Sequence, residues 1–153
     1  MKIMDFLHHR AVTTDIKAKT KKEIIAELLD LLVNAGVIRN KDVLYKVLLE
    51  REALGSTGIG QGVAIPHAKS DGVKKLVAAF GISKEGVDFA SLDGEPVYIF
   101  FLIAAPDDCA GPHLKALARI SRILKDKCVR DLLRDAVDAK AILKIIKQED
   151  LRN

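Results

Sequence analysis

Val97-Tyr98-Ile99-Phe100-Phe101-Leu102-Ile103-Ala104-Ala105, framed by Pro96 and Pro106, is the stretch that most restricts the fold. Nine apolar residues are far fewer than the roughly 20 that cross a bilayer as a helix. The run does not alternate polar with apolar, as a strand with one wet face would. A continuous apolar strand of this kind belongs at the centre of a sheet covered by helices on both faces. Leu76 to Ile82 reads as a second buried strand, and Val63-Ala64-Ile65 as a short third one.

Helical signals flank these strands on both sides. Thr20-Lys21-Lys22-Glu23 has the spacing of a capping box, in which hydroxyl and carboxylate each take an orphan amide. Ile24, Ile25, Leu28, Leu29, Leu31 and Leu32 follow at helical spacing, and Gly36 falls where a C-terminal cap is expected. A second helix is predicted after Asn40, ending before Gly55, with Val43, Leu44, Val47 and Leu48 inward. The last third returns to helix. His113 to Lys125 carries Leu114, Leu117, Ile120, Ser121 and Leu124 on one side, followed by Val129–Ala136 and by Ala139–Ile146 behind Asp138. Lys84-Glu85-Gly86 and Leu92-Asp93-Gly94 read as turns. Helices, then strands, then helices predict an α/β fold, a layered α/β/α sandwich with a central mixed β-sheet flanked by helices. No linker or repeat interrupts the chain, and 153 residues fit one domain over 1–153. A chain of this length buries enough surface to need no staple.

Composition excludes several classes. Hydrophobic residues make up 49% and charged residues 30%, which is not the balance of a disordered chain. Two cysteines, Cys109 and Cys128, are too few for a disulfide framework and fit a reducing compartment. With no secretory signal visible, a cytoplasmic location is expected. The net charge of +4 is spread along the chain, and there are seven aromatics and no Trp. Clustered basic residues with stacking aromatics are absent, so no nucleic-acid surface is expected, and no direct membrane insertion.

Arg51 to His67 is the unusual segment, with glycines at 55, 58, 60 and 62. A Walker A loop would fit the spacing of Gly55 and Gly60, but Gln61 stands where the lysine belongs. The dinucleotide fingerprint fails as well, because Val63 occupies the position of its third glycine. What is left is a glycine-rich loop entering a short strand that ends at Pro66-His67. Proline stiffens the position from which His67 is presented. Such an imidazole can act as a nucleophile or as an acid/base, or can be a histidine held by a core hydrogen bond. His113 follows Gly111-Pro112 in the first turn of a helix, where free amides favour anions. This setting also predicts that His113 is partly exposed. Arg51 ends the second helix and carries a guanidinium fork suited to a phosphoryl group. Two imidazoles and an arginine beside an amide-rich loop suit phosphoryl transfer.

The residues carrying these features resemble a known family. Arg51-Glu52-Ala53-Leu54-Gly55-Ser56-Thr57-Gly58-Ile59-Gly60-Gln61-Gly62-Val63-Ala64-Ile65-Pro66-His67-Ala68 is similar to the signature of enzyme IIA of the bacterial phosphotransferase system, fructose/mannitol type. That branch also holds the nitrogen-regulatory proteins. The resemblance continues through Gly86-Val87-Asp88-Phe89, Leu92–Val97, Phe101–Pro106 and His113–Ala118. It implies a mixed sheet between helical layers, and it makes His67 the phosphorylated residue. His113 would be the second active-site histidine and Arg51 the motif arginine. The resemblance further implies a donor, the histidine phosphocarrier HPr or its nitrogen-branch counterpart, and a recipient cysteine on a IIB domain or protein. No metal and no nucleotide cofactor is implied. Ser56, Thr57, Gly58 and Gly60 form the candidate phosphoryl-binding loop, whose hydroxyls either bind the group or shape the loop. A transport-linked carrier and a nitrogen-branch regulator of target proteins both remain open, the former taken first.

The other candidates carry less. Cys109 and His113 have a C-x3-H spacing but lack the further ligands of a zinc site. Cys128 is expected to be packed, His8-His9 to be a solvated pair, and Asp107-Asp108 to be a solvated turn.

Overall fold

The computed structural model describes residues 1–152. After a short 3-10 turn at Ile3–Asp5 the chain forms β1 (Leu7–Thr13), α1 (Lys21–Asn34) and α2 (Lys41–Ala53). Three short strands follow, β2 (Gly58–Gly60), β3 (Val63–Ala64) and β4 (His67–Lys69). The long β5 (Val77–Val87) and β6 (Val97–Ala105) precede α3 (Ala110–Leu124), α4 (Lys127–Asp135) and α5 (Ala139–Arg152).

The six strands make one mixed sheet in the order β1-β5-β6-β3-β2, with β4 also pairing β6. β5 and β6 are antiparallel, whereas β1 lies parallel to β5 and both β3 and β4 lie parallel to β6. The apolar run on β6 is central, as its sequence predicts. Its side chains divide between two cores. Phe100, Leu102 and Ala104 pack with α1 and α2, through Ile25, Leu28, Leu32, Leu44 and Leu48. Ile99, Phe101 and Ile103 pack with Ile120 of α3, Leu133 of α4, and Ile142 and Ile146 of α5. The layered α/β/α arrangement around a mixed sheet is therefore the observed architecture.

Local signals explain most element ends. The Thr20 hydroxyl accepts the Glu23 amide, although the Glu23 carboxylate takes the Thr20 hydroxyl and not an amide. Gly36 adopts φ +76°, and the amides of Gly36 and Val37 return to the carbonyls of Val33 and Leu32, which closes α1 as a Schellman motif. The Asp138 carboxylate accepts the Ala141 amide at the start of α5.

Several expectations change. Lys84-Glu85-Gly86 is not a turn: β5 runs through it, with a register irregularity before Val87 and φ +82° at Gly86. Val43 and Leu114 face outward, and Cys128 is exposed. β1 has no sequence forecast. It is an edge strand whose His8, His9 and Arg10 interrupt the apolar pattern.

Candidate functional site

β3 and β4 lie along the same side of β6, separated by Ile65-Pro66. Proline has no amide to donate, so the run of strand breaks there. The Pro66 carbonyl still accepts the Ile103 amide at 2.9 Å, which keeps the chain on the sheet. His67 thus starts a strand laddered to Ile103. The nucleophile candidate therefore sits on backbone paired to the central strand.

His67 Nδ1 lies 2.7 Å from the carbonyl oxygen of Ile65. A carbonyl only accepts, so Nδ1 carries the proton and Nε2 keeps its lone pair. Burial holds the His67 pKa below the ordinary 6.5; the Ile65 hydrogen bond opposes this, the Arg51 charge adds to it, and Glu52 opposes it. The ring is neutral at pH 7 and nucleophilic at Nε2.

His113 reaches the same place from the other layer. α3 begins at Ala110, earlier than the sequence suggests, and the His113 amide makes its first-turn bond to the Cys109 carbonyl. Pro112 therefore occupies a position where no amide is required. The rings of His67 and His113 meet edge to face, with centroids 5.5 Å apart at 80°. The expectation of partial exposure fails: His113 is 5% exposed, because its helix packs flat against the sheet. Burial first, then His67 and Lys69, push its pKa down to about 4. Its Nε2 is buried without a hydrogen-bond partner, an arrangement that costs free energy unless a ligand supplies one.

Arg51 joins them from the last turn of α2. Its guanidinium donates to the Gly55 carbonyl at 2.8 Å, which fixes the fork at the helix end. Arg51, His67 and His113 all line one open cleft of about 710 Å³. Glu50, Lys69 and Asp107 supply its remaining charges. Its rim is apolar, made of Val47, Leu54 and Leu117 with Leu114, and Leu54 and Leu114 are 85% and 67% exposed. Leu54 and Leu114 thus add exposed apolar surface beside the polar centre. Helical periodicity put Leu114 and Leu117 on the inward side; Leu117 does pack partly against the core, whereas Leu114 stands on the surface.

The glycine-rich loop lies elsewhere. None of Ser56, Thr57, Gly58 and Gly60 lines the cleft. The Ser56 hydroxyl donates to the Phe89 carbonyl, and the Thr57 hydroxyl and amide both go to the Glu52 carboxylate. Gly58 and Gly60 belong to β2, which returns to β3 through Gln61-Gly62, both at positive φ (59° and 80°). A Cβ on Gly58 would stand 2.8 Å from the Ser91 hydroxyl oxygen, so close packing demands glycine there. Glu52, unassigned by the sequence reading beyond its place in the motif, is 7% exposed and pairs with Lys21 at 2.9 Å. Lys21 also lies 4.7 Å from the centre of the Phe89 ring. Among the described residues, no group of three or more His, Cys, Asp or Glu is placed to hold a metal ion.

The mixed sheet between helical layers that carries this cleft is the fold of IIA domains of the phosphotransferase system. The profile described as "Phosphoenolpyruvate-dependent sugar phosphotransferase system, EIIA 2" matches residues 5–149, and the chain belongs to that family. It is 41% identical over 150 residues to the fructose-specific EIIABC component of Bacillus subtilis, covering 98% of this chain and 24% of that protein. The chain thus spans about a quarter of that relative's length. It is 38% identical to the nitrogen regulatory protein of Bradyrhizobium diazoefficiens over 95% of both chains. The crystal structure of nitrogen regulatory protein IIA-Ntr from Neisseria meningitidis superposes with a TM-score of 0.86 at 32% identity, covering 93% of this chain and 97% of that one. The family includes both sugar-specific and nitrogen-regulatory members.

Proposed function

We propose that the protein is a phosphocarrier that takes a phosphoryl group on His67 from HPr, or from its nitrogen-branch counterpart, and passes it to a IIB cysteine for sugar uptake. The observation that carries this reading is the Nδ1–Ile65 hydrogen bond, which leaves Nε2 of a neutral imidazole facing the cleft. In the forward step the Nε2 lone pair attacks phosphorus in line. The new N–P bond forms as the donor's N–P bond breaks, and that electron pair returns to the donor nitrogen. The Ile65 carbonyl then holds the proton of a phosphoimidazolium. His113 supports the reading as a buried imidazole beside His67 whose Nε2 has no partner and can donate to the group in its Nε2–H tautomer, and Arg51 as a fork lining the same cleft. Neither step draws on a metal or a nucleotide. Ser56, Thr57, Gly58 and Gly60 act in this scheme by shaping the loop behind Arg51. The apolar rim receives the donor and the recipient.

A regulatory reading has its own support in the 38% identity to a nitrogen regulatory protein. In it the phosphorylation state of His67 sets the affinity for target proteins. Both readings place the chain in the cytoplasm, and no described helix is long and apolar enough to cross a membrane.

The test is intact mass after incubation with phosphoenolpyruvate, enzyme I and HPr, for wild type and His67→Gln. One acid-labile phosphoryl group on wild type alone is the expected result. Absence of uptake from HPr and from the nitrogen-branch donor alike would overturn the reading. Pull-downs with both phosphorylation states then separate carrier from switch, since a switch requires binding that differs between them.

A further inference from the structure

Lys69 shares a strand and a face with His67. β4 pairs with β6 through His67↔Ile103, Ala68↔Ala104 and Lys69↔Ala105, so all three backbones are fixed. Side chains alternate along a strand, so Ala68 packs in the core on one face while His67 and Lys69 share the other, and all three residues border the cleft. Their Cα atoms lie about 6.5 Å apart on that geometry, within the reach of a lysine stem. The charge of Lys69 is felt at the cleft centre, where it helps depress the basicity of His113.

Its surroundings leave the ammonium unused. Lys21 is bound to Glu52 and Lys41 to Asp30, but Lys69 is exposed and has no ion pair among the described residues. Glu50 and Asp107 line the same cleft without coming into ion-pair range of it. The other cation at the site, Arg51, is held at the helix end by the Gly55 carbonyl and lines the same cleft.

We propose that Lys69 is a second phosphoryl-binding cation, an ammonium that engages the oxygens of the group on His67 together with the fork of Arg51. This rests on the reading of His67 as the phosphoryl acceptor. In the transfer step the His67 Nε2–P bond forms, the donor N–P bond breaks, and no proton changes place. What arrives is negative charge on three oxygens, which one fixed fork does not surround. A flexible ammonium with three donors follows those oxygens as they invert about phosphorus. Because Lys69 has no partner before the group arrives, its contacts are new in the transition state and in the phosphorylated protein. Interactions of that kind raise the rate.

The experiment compares wild type, His67→Gln, Lys69→Gln and Lys69→Arg as full chains, with two donors. One is phospho-HPr; the other is phosphoramidate, which brings no protein surface. Uptake is followed by intact mass, and folding by the melting temperature. Wild type must gain one group and His67→Gln none; if wild type gains none, the reading of His67 falls and this proposal with it. Given uptake by wild type, Lys69→Gln is expected to be about tenfold slower with both donors at an unchanged melting temperature. Lys69→Arg should recover most of the rate, because the requirement is for charge and donors. Unchanged rates in Lys69→Gln would overturn the role of Lys69 alone. So would a loss confined to phospho-HPr, which would make Lys69 a docking residue.

Discussion

The Glu52 carboxylate holds Thr57 twice, accepting its amide at 3.1 Å and its hydroxyl as well. Its neighbour Arg51 reaches forward to the Gly55 carbonyl on the other side of the same helix end. The last turn of α2 therefore grips the loop that follows it from two sides. Lys21 neutralises the buried carboxylate from α1. A carboxylate placed at a helix C-terminus opposes the helix dipole, so this arrangement depends on its partners.

Removing Glu52 strands those partners. Glu52→Ala is expected to lower stability by about 3 kcal/mol, since it leaves a Lys21 ammonium and a Thr57 amide without their acceptor. Glu52→Gln, which retains an acceptor oxygen, should lose less. Urea unfolding of the two variants checks the order.

His113 makes stability depend on pH. Its pKa of about 4 in the folded chain lies below the 6.5 of an unfolded one, so the unfolded state binds more protons between these values. Stability rises with pH across that window, and as pH falls from 6.5 to about 4 the protein loses roughly 3 kcal/mol from this residue. His113→Gln should flatten that part of the profile. Denaturant melts from pH 4 to 7 measure it, and an equally steep profile in the variant would refute the assignment.

Phosphoryl uptake should follow the protonation of His67. Burial and the Arg51 charge keep its pKa below 6.5, so the acid fall in uptake is expected at lower pH than an unshifted histidine would give. Arg51→Gln removes a cation and moves that fall to higher pH. An imidazole NMR titration of wild type and variant reports the shift directly.

Arg51→Lys keeps the charge and loses the fork. Uptake from the donor should slow by about tenfold or more, with the loop contact to Gly55 weakened but the fold retained. Rates at saturating donor are the measurement, and a wild-type rate would remove Arg51 from the site.

Gly58→Ala tests the hairpin. Its Cβ would press on Ser91, whose Cβ is 2.9 Å and Cα 3.0 Å from the ideal position, so backbone has to move. A loss of about 1–3 kcal/mol is expected, read as a lower melting temperature.

The core was legible in the chain because burial is written as pattern. The apolar run on β6 announced a strand covered on both faces, and the Thr20 and Gly36 signals bracketed α1. β1 and β4 were not legible. β1 is held at the edge by pairing with β5, a partner far along the chain, and its His8-His9-Arg10 centre shows no alternation. β4 has three residues, too few for any period to appear, yet its alternation is what brings Lys69 beside His67. The cleft histidines were named by motif, but their apposition comes from packing α3 onto the sheet. Leu54 and Leu114 carry the apolar character of core residues, and nothing local reveals that they end on the surface.

Because β4 is laddered to the central strand, His67 is anchored and has no swinging arm. On the proposed carrier reading, whatever gives and whatever receives must then come to the same doorway above the cleft, one visitor at a time. Such a station cannot hold both callers at once, so its exchange kinetics should be ping-pong, and an excess of either visitor should compete with the other for the threshold.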